Sequence, residues 1–103
     1  MDPTDVLNAL RPRTLRERVR ARLVGGWSAV QVRERLAEPV AAAWFIEHPG
    51  EPVVQARRLV DAVRSTLLTL TNEGKVERRA SSYGVELRSK GGRAVVVDVF
   101  RLT

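Results

Sequence analysis

Arginine is the residue type in this chain that points most directly to a chemistry. Sixteen of the eighteen positive side chains are Arg, and only Lys75 and Lys90 are lysine. A planar guanidinium offers paired donors to phosphate oxygens and to the guanine edge, so an Arg-heavy surface suits nucleic acid. A GC-rich genome raises Arg at Lys positions as well, and composition alone leaves both explanations standing. The formal charge of +6 and a pI near 11.2 make polyanions the natural partners, with acidic proteins and anionic lipids behind them.

Other reactive residue types are sparse. The one histidine, His48, sits in "EHPGEP", where Glu47 and Glu51 alone make a poor metal or general-base set, so a surface-loop role is expected. Ser81, Ser82 and Tyr83 have no base at a useful spacing, and there is no phosphate loop, dinucleotide fingerprint or zinc spacing. No enzyme activity, cofactor or metal is therefore expected. The absence of Cys removes disulfides and thiolate chemistry and fits a cytoplasmic protein. No signal-like N-terminus or membrane-length apolar run is present, so a soluble, unexported chain is expected.

The elements that must position the arginines follow from spacing. At 103 residues one core is expected. "DPTDVLNAL" reads as a short helix with Asp2 as N-cap and Pro3 first, an arm over residues 1–13 whose Val6, Leu7 and Leu10 dock on the domain or on a second subunit. In "TLRERVRARLVGG", Thr14 and Glu17 have capping-box spacing. Leu15, Val19 and Leu23 form an apolar face, and Arg16, Arg18, Arg20 and Arg22 occupy the other faces. Ser28 and Gln31 repeat the capping box, with Trp27 and Val32 as a hydrophobic staple. "VAAAWFIEH" predicts a buried helical segment placing Trp44, Phe45 and Ile46 in the core. From Pro52 a 3.6-residue period runs through Ala56, Leu59, Val60, Val63, Leu67 and Leu70, and Gly74 is placed to end that helix in a left-handed conformation. The period then changes to 2: "KVERRA", "GVELRS" and "AVVVDVFRL" read as strands, with "SKGGR" a glycine turn between the last two.

A helix carrying Val63, Leu67 and Leu70, the turn Glu73-Gly74-Lys75, Val76, Arg78 and Arg79, and then "VELRSKGGRAVVVDVF" resembles the second half of a winged helix-turn-helix domain, an α+β fold, over residues 14–103. The resemblance implies a double-stranded DNA-binding transcription regulator acting as a homodimer, with a recognition helix over about 52–73 and a wing over 88–93. Its implied contact residues are Gln55, Arg57, Arg58, Arg64, Ser65 and Thr69 on the helix. Arg78 or Arg79 follows on the strand, and Arg88, Ser89, Lys90 and Arg93 on the wing. Winged helices also serve as protein-docking modules, for which Val6, Leu7 and Leu10 would be the anchor. Two registrations are open: the second helix is "SAVQVRERL" with an enlarged connection to the third, or "VVQARRLV" is a compressed second helix. The Arg bias and small size also suit a gene of a phage or other mobile element in a GC-rich host.

Overall fold

The computed structural model describes residues 1–81 and 96–103. Five helices precede a two-stranded antiparallel sheet: α1 (Pro3–Leu10), α2 (Leu15–Leu23), α3 (Ala29–Arg35), α4 (Glu38–Glu47), α5 (Pro52–Asn72), β1 (Val76–Ser81) and β2 (Val97–Leu102). The class is α+β, as expected from the change of period after Gly74. Among the described residues no helix is long and apolar enough to cross a membrane.

The helix starts are those the sequence specifies. The Asp2 carboxylate accepts the Thr4 N–H at 2.8 Å, with Pro3 where a free N–H would have been unsatisfied. The Ser28 and Gln31 side chains satisfy each other's backbone N–H groups at 3.3 and 3.0 Å, a complete capping box. At α2 the box is incomplete: Thr14 accepts the Glu17 N–H at 3.1 Å, but the Glu17 carboxylate takes the Arg13 N–H instead. Gly74, at φ +77°, ends α5 and turns the chain into β1.

α1, α3 and α5 pack on one another and on the sheet around one core, built from Val6, Leu10, Val32, Leu59, Val63, Leu67, Leu70 and Phe100. Of the alternatives open for residues 1–13, the structure shows the short helix docked on the domain. With Val6 and Leu10 buried, they cannot anchor a partner protein, as the docking reading required. Burial also explains why so short a helix persists, since eight residues would fray alone.

Three further expectations fail on burial. Leu15, Val19 and Leu23 face solvent, and α2 buries no residue fully. Ile46 is 80% exposed, although its neighbours Trp44 and Phe45 are buried and half-buried. Ala56 is exposed because the core contact of α5 begins one turn later, at Leu59. In each case the periodicity marks a face correctly but cannot say whether a neighbour lies against it.

β1 and β2 pair from Val76 opposite Leu102 to Ser81 opposite Val97. Trp27 adds an isolated bridge on the other side of β2, exchanging backbone hydrogen bonds of 2.9 and 2.8 Å with Phe100. The expected strand "GVELRS" and the "SKGGR" turn lie outside the described residues. Within β2, Val99 and Phe100 are both buried, against simple alternation: Phe100 enters the helical core, while Val99 is covered by Gly25 on the opposite face.

Candidate nucleic-acid interface

α5 is one unbroken 21-residue helix. The registration that makes "VVQARRLV" a separate second helix needs a break after it and is thereby excluded; α3 packs against α5, and α4 falls between the two in the sequence. Opposite its buried stripe, α5 offers two polar ones. Arg57, Asp61 and Arg64 follow one another at i, i+4 and i+7; Arg58, Ser65 and Thr69 do so at i, i+7 and i+11, further round the helix.

Gln55 does not join either stripe as a reader of bases. Its Nε2 donates to the carbonyls of Phe45 at 3.2 Å and His48 at 2.8 Å, tying the end of α4 to the start of α5. Arg57 and Arg58 are exposed near the N-terminal end of the helix. Thr69 spends its hydroxyl hydrogen on the Ser65 carbonyl at 3.1 Å, leaving oxygen lone pairs outward.

Arg64 and Arg78 come together. They line a cavity of about 270 Å³ whose wall includes Ser28 and Val30 from the start of α3, Leu68, and Asp98 from β2. Each guanidinium has a carboxylate nearby: Arg64 Nη1 is 3.3 Å from Asp61 and Arg78 Nη1 is 3.9 Å from Asp98. All four side chains are about half exposed or more, and such pairs are worth only ~0–1 kcal/mol, so a phosphate can replace either carboxylate. Arg79 points the other way, its Cδ lying against the Cα of Gly25 on the far face of the sheet. The strand geometry thus separates the paired arginines, with Arg78 on the α5 side. Arg88, Lys90 and Arg93 lie outside the described residues.

Sequence reasoning overlooked Asp98 and Val30 as neighbours of this site, and it overlooked Arg35 altogether. Arg35 donates from Nε to the Ala9 carbonyl at 2.7 Å, and from Nη2 to the Arg11 carbonyl at 2.8 Å and to Glu17 at 3.0 Å; its guanidinium lies 4.2 Å over the Trp27 ring. It joins α1, α2 and α3 behind the site. No local signal announces contacts that span 18 to 26 residues.

The same network sets the acid response. The hydrogen bond from Arg35, helped by the Arg13 N–H, holds the Glu17 carboxyl at about 2, down from 4.5. A depressed folded value means that the protonated carboxyl favours the unfolded chain. The stabilisation is complete above pH about 4.5 and drains away as pH falls toward about 2. Glu17→Gln is expected to be less stable at neutral pH and to lose less stability than the parent over that interval, which urea melts at stepped pH will measure. Parallel losses in the two proteins would show that Glu17 is not the titrating group.

No protein-family model matches the chain, and neither a curated protein nor a solved structure is significantly similar to it.

Proposed function

We propose that this protein is a winged-helix regulator of transcription that binds double-stranded DNA through α5 and the strands that follow it. One observation carries the reading: Arg64 on a helix and Arg78 on a strand, fourteen positions apart, converge beside the exposed stripe of α5. Support also comes from the order of elements. Three mutually packed helices, the last running directly into an antiparallel pair of strands, are compatible with the layout that the resemblance implies. In this reading α5 lies in the major groove, Arg57 and Arg58 reach base edges or phosphates near its N-terminal end, and Arg64 and Arg78 clamp the backbone. The segment containing Arg88, Lys90 and Arg93 would extend the contact as a wing.

The decisive experiment is duplex binding by fluorescence anisotropy across a salt series. The parent is expected to bind a mixed-sequence duplex, with log affinity falling linearly in log salt. Arg64→Ala/Arg78→Ala is expected to bind about 10-fold or more weaker, with a slope shallower by roughly 2. Parent protein that binds no duplex at low salt would end this reading. A double variant with the parent's slope would move the contact elsewhere on the surface.

A further inference from the structure

The most extensive uncovered apolar feature among the described helices is the stripe on α2, where Leu15, Val19 and Leu23 are 76%, 45% and 74% exposed. At ~100° per residue the three share a face, bordered by Arg16 on one side and by Arg18 and Arg22 on the other. The opposite face is already engaged, Glu17 with Arg35 and Ala21 with the core. α2 thus presents an apolar strip edged with positive charge, which no other described residue covers.

A groove of about 610 Å³ lies at the other end of α1, between its N-terminal residues and α4. Asp2 and Asp5 stand along one wall, and Val40, Ala43 and Glu47 along the other, next to Trp44. In a chain of net charge +6 this groove gathers three carboxylates around an apolar lining. Its α4 wall runs from Pro39 to His48, as long as the nine-residue α2.

We propose that α2 of one copy of this chain docks in the α1–α4 groove of a second copy. Leu15, Val19 and Leu23 would lie against Val40, Ala43 and Trp44, while Arg16, Arg18 and Arg22 face Asp2, Asp5 and Glu47. The alternatives within a self-assembly are electrostatically poor. Two α2 helices face to face bring the arginines of both copies together, and two grooves face to face bring together their carboxylates. Only the α2-to-groove pairing matches apolar with apolar and positive with negative. The contact joins two different surfaces: made once, it leaves one free helix and one free groove, so assembly continues unless a ring or a reciprocal two-fold dimer closes it. A nine-residue helix makes a small interface, so the association is weak and reverses on dilution.

Sedimentation velocity of the full chain from about 10 µM to about 1 mM tests the proposal. The mean mass is expected to rise above that of the monomer with concentration and to fall with added salt. Two variants then separate the halves of the contact. Leu15→Glu/Leu23→Glu removes the helix stripe, and Ala43→Arg/Glu47→Lys blocks the groove; all four residues are exposed, and thermal melts verify folding. If a double variant fails to fold, Arg22→Glu or Glu47→Lys alone replaces it. Each variant alone is expected to stay monomeric, while an equimolar mixture forms a dimer and nothing larger, since one intact helix and one intact groove remain. A monomeric parent at every concentration overturns the proposal, and so does a mixture that does not recover the dimer. Parent protein that stays monomeric but binds anionic phospholipid vesicles through α2 would overturn it in favour of a lipid surface.

Discussion

Gly26→Ala is expected to destabilise the protein by about 3 kcal/mol or more, lowering the melting temperature by roughly 15 °C. Two independent costs add at this position. Its φ of +124° is one that L side chains rarely adopt, and a methyl group here would overlap the Phe100 carbonyl. The carbonyl cannot retreat cheaply, because it accepts the Trp27 N–H at 2.9 Å and its residue's own N–H returns a bond of 2.8 Å to Trp27. Relieving the overlap opens this bridge and pulls apart Trp27 and Phe100, two large core residues. Gly74→Ala is the matched control. Gly74 also has a positive φ, +77°, but open space surrounds its Cα, so only the backbone cost of about 1 kcal/mol applies. Calorimetric melts of the two variants side by side should differ by a wide margin. Equal melting points would mean that the close approach of Gly26 to β2 contributes nothing.

That comparison also marks how far the sequence can be read. Gly74 was legible because a long helical period stops shortly before it and a strand period starts after it. Gly26 signalled a helix stop, and the strand it rests on lies more than seventy positions away. The starts of α1 and α3 were legible for the same local reason, since Asp2-Pro3 and Ser28/Gln31 satisfy backbone groups within three residues. The core face of α5 was legible from Leu59 onward because four buried residues repeat over three turns. α2 was misread by the same rule. Leu15, Val19 and Leu23 have the spacing of a buried face, yet among the described residues nothing lies against them, and a docking partner leaves the same pattern in a sequence as a core does. Of the candidate site, Arg64 and Arg78 were named from the chain, but their meeting beside Val30 and Asp98 depends on how β1 returns past α5. Gln55 was assigned to the interface because it is polar on an exposed turn, and two backbone carbonyls of the α4–α5 connection claim it instead.

Arg35→Ala is the second large effect expected, a loss of about 2–4 kcal/mol. The side chain is only 14% exposed, and its donors go to groups that have few alternatives. α1 carries no basic residue in its last turn, so Arg35 supplies, from α3, the positive charge and the donors that the C-terminal end of α1 lacks. Truncation leaves the Ala9 and Arg11 carbonyls without these donors, leaves Glu17 without its cation, and uncovers the Trp27 ring. Arg35→Lys should recover less than half of the loss, because one ammonium cannot reach two carbonyls and a carboxylate while lying flat on an indole. Two readouts distinguish this account from a simple loss of packing. In Arg35→Ala the Glu17 carboxyl should titrate well above about 2, moving toward its ordinary value of 4.5 with only the Arg13 contact still lowering it, as followed by carboxyl-carbon NMR. The α1 amides should also exchange with solvent faster than those of α5, since α1 is the helix that loses its tether and α5 keeps its core. A variant that melts with the parent, or one that is destabilised while Glu17 still titrates near 2, would place the connection between α1, α2 and α3 in other contacts. The proposed interface depends on that connection, because α3 supplies the Ser28–Val30 edge against which Arg64 and Arg78 converge.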